Sequence, residues 1–423
     1  MNKLNTTLQC AQSLDSQDPL NSFRSKFIFP KDAKGNPVLY FTGNSLGLQP
    51  VEASKIINNE INDWAKCAIE GFWKENNPWL TYHDYCAQGL AKIVGAQASE
   101  VVAMNSLTVN LHLMMVSFYR PTKSRYKILI ESGAFPSDQY AVASQASFHG
   151  FNPEDAILEL TPRDNEDTLR QDDIIEFINK NGSEIALIML GGINYRTGQA
   201  FDMKSITEVG HKNGCVVGFD LAHGAGNLEL SLHDWNVDFA VWCNYKYINA
   251  GPGAVGGCFV HQHHITSRLP RFEGWWGHDL QTRFKMPNTF KPILGAEAWQ
   301  LSTAPVLQLA SLRSSIEIFN QTSMKELRKK SLMLTGYLEF LLNELIPAKS
   351  LKVITPAQEN QRGCQLSLRL SGDPRSIQKE LLSIGIVTDF REPDVIRVAP
   401  APLYNSFEDV FKFVDILSKS EYV

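Results

Sequence analysis

With 423 residues, 43% of them hydrophobic and 20% charged, the chain can bury a large core and has the composition of a soluble globular protein. A net charge of −5 gives no general attraction to nucleic acid or to an anionic membrane, so neither is an expected partner. The seven cysteines are scattered singly with no CxxC pair, which argues against a disulfide framework and for free thiols in a reducing compartment. No apolar run approaches ~18 residues, and the opening MNKLNTTLQCAQSLDSQDPL lacks the apolar core of a signal peptide. A cytoplasmic protein without a membrane span is expected.

Residues 1–60 read as peripheral, with YFTGNSLGL over 40–48 forming a turn-rich loop after a short strand. Two helical patterns fill 50–95, separated by the aromatic insertion GFWKENNPWLTY. Trp73, Trp79 and Tyr82 there read more simply as core or interface side chains than as the wall of a pocket. At Asn105 the text becomes NSLTVNLHLMMVSFYRP, where Ser106 and Thr108 open a helix that Pro121 ends. Such a helix start is commonly a plain cap, yet its free N–H groups can also take an anion. His112 within it reads as a packed core histidine.

Strand–helix units follow. A strand over 127–130 leads into ESGAFPSDQY, which places Phe135 and Asp138 in a loop before a helix. A short strand covers 157–160, a helix runs from Asp172 to Asn181-Gly182, and a fully apolar strand over 185–190 ends in GGINYRTGQ. Asp202 caps the next helix, which Asn213-Gly214 closes. This alternation predicts an α/β domain, doubly wound around a mostly parallel sheet.

The stretch GCVVGFDLAHGAGNLELSLHDWNVDFAVWCNYKYINAGPGAVGG carries the chemistry. Its apolar runs over 215–219 and 239–243 predict buried strands, with Asp220 ending the first and Lys246 just beyond the second. Ligands of such sheets sit outside the carboxyl ends of the strands. Pyridoxal phosphate needs a lysine to bond its aldehyde and an acid to keep its ring nitrogen protonated. A lone Asp or Lys is usually a surface charge. Lys246, however, lies in a segment almost free of other charge, where a buried ammonium needs a reason. Beside this pair, the helix start at Ser106–Thr108 is where a cofactor phosphate is expected.

His261, His263 and His264 match no zinc spacing and read as a surface turn, so no metal is expected. A second aromatic loop, RFEGWWGHDLQTRFK, follows. Beyond Leu301 the pattern changes to a long helix over 323–345, an alternating strand over 364–370, a helix over 376–384 and a strand over 395–398. A last helix opens with the capping box Ser406…Asp409. The expected division is a large cofactor-binding α/β domain over 60–300 and a small α+β domain built from 1–59 and 301–423.

The segments NSLTVNLHL, FPSDQYA, GFDLAH, CNYKYINAG, GWWGH and IRVAPAPLYNS, in that order, resemble the kynureninase family of pyridoxal-phosphate hydrolases, which has the aspartate-aminotransferase fold (fold type I). The resemblance covers nearly the whole chain. It implies that Lys246 bonds the cofactor and that Asp220 faces its ring nitrogen, with His223 near the ring hydroxyl. It implies further that Phe135 stacks on the ring with Asp138 beside it, and that Leu107, Thr108 and Tyr245 hold the phosphate. Trp275 matches a further cofactor-site aromatic, supplied in the family across a homodimer interface, and Arg397 the arginine that binds the substrate carboxylate.

The implied reaction cleaves the Cβ–Cγ bond of L-kynurenine, giving anthranilate and L-alanine in tryptophan degradation, a route that also serves NAD biosynthesis. Lys246 is the expected base and Tyr245 the expected acid. The chain departs from the animal pattern in three places. Thr303 stands where those enzymes carry Asn, Gly191 where a Ser joins the cofactor site, and around Phe72 and Trp73 the chain is aromatic where they carry a His. The loss of the Asn and the His implies a preference for L-kynurenine over 3-hydroxykynurenine. The alternatives are another enzyme of this fold, such as an aminotransferase or a cysteine desulfurase, or a regulatory protein that binds pyridoxal phosphate without turnover. A desulfurase would need a mobile exposed cysteine, and mere binding would not need Arg397.

Overall fold

A computed structural model describes residues 4–420. Seven strands form the main sheet: β1 (Val101–Ala103), β2 (Lys127–Glu131), β3 (Ile157–Leu160), β4 (Ile185–Gly191), β5 (Val216–Asp220), β6 (Phe239–Cys243) and β7 (Gly256–Val260). Their spatial order is β1-β7-β6-β5-β4-β2-β3. β2 to β6 run parallel to one another, while β7 is antiparallel to both β6 and β1. The apolar runs form strands because both faces are covered. Along β4, Ile188 and Leu190 enter one core cluster while Leu187 and Met189 enter the cluster on the opposite face.

A second sheet lies toward the C-terminus, with β8 (Leu351–Val353), β9 (Leu366–Leu370), β10 (Asp389–Arg391) and β11 (Val395–Val398) in the antiparallel order β8-β9-β11-β10. Alternation divides its faces. Leu366, Leu368 and Leu370 pack with the helices Met324–Leu345, Pro374–Ser383 and Phe407–Leu417. Ser367 and its register partner Arg397 point the other way, toward loops of the main sheet, where Ser367 Oγ donates to the Arg196 carbonyl at 2.6 Å. Ion pairs Asp167–Arg369 (2.7 Å) and Arg196–Asp394 (2.8 Å) join the two sheets.

The segment over 8–41 closes onto the segment over 386–417. Helix Leu8–Ser16 packs on Phe407–Leu417, and the Asp15 carboxylate accepts the Phe407 and Glu408 N–H groups at 2.8 and 2.9 Å. This caps the positive end of that helix. The short strand Leu39–Tyr40 pairs in parallel with Ile386–Val387.

Several expectations need correction. His261 is 2% exposed and caps the one-turn helix Gln262–Ile265, its Nε2 meeting the His233 carbonyl at 3.1 Å, so it is no surface turn. His112 is only half-buried and bonds Gln145 at 3.1 Å. Trp73 is exposed, whereas Trp79 and Tyr82 are core residues as expected. The strand expected from 364 begins at Leu366, since the Cys364 N–H leaves the ladder to bond Asn227 Oδ1 at 2.9 Å. The helix expected from 376 begins at Pro374, because Asp373 caps it and proline is tolerated in a first turn. Among the described residues, no helix is long and apolar enough to cross a membrane.

Candidate active site

The carboxyl ends of β2, β4, β5 and β6 surround one cavity of about 570 Å³, its mouth included. Register brings Gly191 at the end of β4 beside Asp220 at the end of β5, and Asp220 beside Val241 of β6. The loop after β6 is fixed by its own hydrogen bonds. The buried Asn244 side chain donates to the Val255 carbonyl (2.7 Å) and accepts from the Trp242 indole (2.9 Å), and the Asn249 N–H returns to the Lys246 carbonyl (2.9 Å). Lys246 is thereby presented into the cavity from a rigid turn.

Lys246 Nζ lies 3.1 Å from His223 Nε2 and 5.9 Å from the centroid of the Phe135 ring. Burial, then the positive charges of Lys246, Arg397 and Arg391, hold His223 well below the ordinary histidine range. The imidazole is therefore neutral and its Nε2 accepts from Lys246. Asp220 is buried, and the Ala222 N–H donates to its Oδ1 at 2.6 Å. Burial raises its proton affinity, and Lys246 only partly offsets this. Asp138 is raised further, by burial first and then by Asp220 and Glu131, and its Oδ1 has no hydrogen-bond partner. The Tyr245 phenol is pushed above the usual tyrosine range by burial and by the Cys243 thiol, so it keeps its proton at neutral pH.

This arrangement fits pyridoxal phosphate. Buried carboxyls with raised proton affinity and an unsatisfied oxygen call for a cationic partner, which a protonated ring nitrogen supplies. Phe135 can cover a flat ring, and His223 Nδ1 is a second buried polar atom without a partner. At the other end, helix Leu107–Phe118 starts at the cavity with Leu107 and Thr108 in its wall, and Ser106 makes no capping hydrogen bond of its own. The start is drawn tight against β7: the Gly256 N–H donates to the Asn105 carbonyl at 2.7 Å, and a Cβ at Gly256 would lie 3.2 Å from the Leu107 nitrogen. These free N–H groups face the cavity as an anion cradle.

Of the residues singled out in the sequence, Leu107, Thr108, Phe135, Asp138, Gly191, Asp220, His223, Tyr245 and Lys246 line this one cavity. Arg397 is buried just outside it. Its guanidinium donates to the Tyr195 carbonyl at 2.8 Å, to Ser45 Oγ at 3.0 Å, and to Asp389. Tyr195 lines the cavity and stacks edge-on with Phe135 at 5.3 Å. Phe72, Trp73, Trp275 and Thr303 do not line it. Phe72, Trp73 and Trp275 instead join Phe284 and Trp276 in a partly exposed aromatic cluster, and Thr303 lies at the surface. Sequence reasoning missed Glu131, Ser137, Ile193, Tyr195, Ala222 and Cys243. For Glu131 a signal was present, since it ends the run KILIE as Asp220 ends VVGFD.

Comparison with known proteins agrees with this geometry. The family model described as the kynureninase C-terminal domain matches residues 327–417. A kynureninase from Myxococcus xanthus is 59% identical over 408 residues, covering 96% of each chain, and one from Flavobacterium psychrophilum is 54% identical over 98% of each. Among solved structures, C-DES with glycine covalently linked to its PLP cofactor superposes with a TM-score of 0.77 at 17% identity, covering 90% of this chain and 96% of that one. An apo cysteine desulfurase from Thermococcus onnurineus gives 0.73 at 15% identity over 99% of each. The structural likeness establishes the fold, that of the fold type I pyridoxal-phosphate enzymes. With full-length identity above one half and a cavity whose groups suit that cofactor, the chain belongs to the kynureninase family.

Proposed function

We propose that this chain hydrolyses L-kynurenine, and 3-hydroxykynurenine less well, to anthranilate or 3-hydroxyanthranilate and L-alanine. The observation that carries this is the cavity in which Lys246, neutral His223 and buried Asp220 converge in a chain 59% identical to a kynureninase. Pyridoxal phosphate, when bound, draws electrons from the substrate's α-carbon. Lys246 would hold it, and its side-chain amine would serve as the base that takes the substrate's α-proton. Asp220 offers its charge to the ring nitrogen and Asp138 stands beside it. Leu107, Thr108 and Tyr245 hold the phosphate, and the retained Tyr245 proton is available to the carbon released when water has added to the γ-carbonyl and the Cβ–Cγ bond breaks.

Arg397 binds the substrate carboxylate, for which its Nε–H, buried and without a partner, is the donor left over from the bonds to Tyr195, Ser45 and Asp389. It approaches from the second sheet, so the site draws on both the 60–300 unit and the unit formed by 1–59 and 301–423. Phe72, Trp73, Trp275 and Thr303 complete the site from a second copy in a homodimer; three of the four carry the exposed aromatic cluster that such contact would cover. Thr303 in place of Asn, and the aromatic Phe72 and Trp73 in place of a His, favour the unhydroxylated substrate. The setting is cytoplasmic tryptophan degradation, with supply to NAD synthesis as a second use. The desulfurase alternative is disfavoured by Cys243, whose thiol is buried and raised in proton affinity and therefore a poor nucleophile.

The test is anthranilate fluorescence after mixing protein, pyridoxal phosphate and L-kynurenine. A rise that vanishes in Lys246→Ala is the expected result. No rise from protein that demonstrably holds the cofactor would reject the proposal, and a parallel run with 3-hydroxykynurenine tests the preference.

A further inference from the structure

Of the three carboxyl groups that line the cavity, one has been given no role. Glu131 closes β2, is 4% exposed, and lies with Asp138 and Asp220 in the cavity wall. Its carboxylate accepts the Gly191 N–H, at 3.1 Å to Oε2 and 3.4 Å to Oε1. Gly191 is the register partner of Asp220, so Glu131 pins the strand end next to the group that faces the ring nitrogen. A Cβ at position 191 would lie 2.9 Å from Glu131 Oε1, so the carboxylate fills the space that any side chain there would take.

Glu131 also borders a second cavity, which opens beside the first and is lined by Glu166, Asp167, Asn194 and Arg196 among others. The charged groups around Glu131 are therefore Asp138 from helix Pro136–Phe148, Asp220 from β5, Lys246 across the first cavity, and Glu166, Asp167 and Arg196 in the second. Asp167 and Arg196 are already engaged with Arg369 and Asp394. Three buried carboxyls thus face one lysine, and not all can be ionised at once.

We infer that Glu131 is a positioning residue whose ionisation sets the negative charge on the ring-nitrogen side of the site, acting through Asp138, Asp220 and the Gly191 strand end. Burial, opposed by the Gly191 N–H, pushes its carboxyl up to about 7, so it exchanges its proton at working pH. When ionised it raises the proton affinity of Asp138 and favours positive charge on the ring. The inference rests on pyridoxal phosphate being the cofactor.

The test is a pH titration of the visible absorbance of the cofactor-loaded protein, without substrate. Wild type is expected to show a step near pH 7 beside a main transition, the larger absorbance change that accompanies protonation of the bound cofactor. Glu131→Gln keeps an acceptor for Gly191; it should lose that step and move the main midpoint down by roughly one unit. Kd for the cofactor, read by the same absorbance, should change less than fivefold. Glu131→Asp, which keeps the charge but retreats from Gly191, should move the step to lower pH, and it serves if the Gln variant does not fold. Failure of wild type to bind pyridoxal phosphate would strike down the cofactor reading itself. Binding with an unchanged titration in either variant would overturn the role of Glu131 alone.

Discussion

Gly47 sits where the 40–48 loop crosses the turn that carries Lys246. Its N–H donates to the Tyr245 carbonyl at 2.8 Å. A Cβ at this position would lie 2.3 Å from the Lys246 carbonyl oxygen, 2.2 Å from Asn249 Oδ1 and 2.8 Å from Asn249 Cα. Ordinary contact begins at 3.4 Å, so Gly47→Ala must drive the Lys246 backbone back by roughly 1 Å or lift the loop by as much. Overpacking of that kind costs about 1–3 kcal/mol of stability. A 1 Å misplacement of a reacting group costs on the order of 10²-fold in rate. The same loop carries Ser45, which holds Arg397, so lifting it would also disturb the carboxylate site. The assay is kcat from anthranilate fluorescence, with urea unfolding in parallel. Gly336→Ala is the control, since nothing lies within 4 Å of its added Cβ and it sits inside helix Met324–Leu345. That change should leave kcat alone and stabilise by about 0.5–1 kcal/mol. A Gly47→Ala enzyme within twofold of wild-type kcat would refute the view that this crossing positions Lys246.

Two further outcomes are expected. Lys330 and Asp18 form an ion pair at 2.7 Å with side chains only 6% and 4% exposed, so Asp18→Ala should cost about 3–5 kcal/mol in urea unfolding, while Asp18→Ala with Lys330→Met should recover most of it. His223 is held below its unfolded value of about 6.5, so the folded state binds fewer protons in acid and stability falls as pH drops below that value. Between pH 6.5 and 5.5, His223→Asn should flatten this loss by up to about 1 kcal/mol, and an unchanged slope would mean that the imidazole is not neutral in the folded protein.

Much of the site could be read from sequence because its residues end apolar runs. Asp220 ends one 5-residue strand and Lys246 lies just past another, both of buried composition, and parallel strands deliver their carboxyl ends to one edge. Glu131 was legible by the same rule, but its short run, starting with Lys127, resembles a half-exposed strand. What local patterns could not carry was pairing across the chain. The antiparallel β7 is as apolar as its parallel neighbours, so composition does not reveal its direction. Ser45 and Asp389 meet at Arg397 only because Tyr40 and Val387 share a ladder. Phe72, Trp73, Trp275 and Thr303 carry no mark in sequence that separates a cavity wall from an exposed surface.

The parallel pairing of Leu39–Tyr40 with Ile386–Val387 has a consequence for biosynthesis. Nearly 350 residues separate the partners, so the early segment emerges long before its ladder exists. At roughly 5–20 residues per second, the ribosome needs on the order of 20–70 s to supply the second strand. During that interval the main sheet, whose strands all lie within 101–260, can form around the nascent chain's own middle. Val38, Leu39 and Phe41, by contrast, stay uncovered. The ladder that covers this short apolar stretch therefore closes last, after every strand of the main sheet has been supplied.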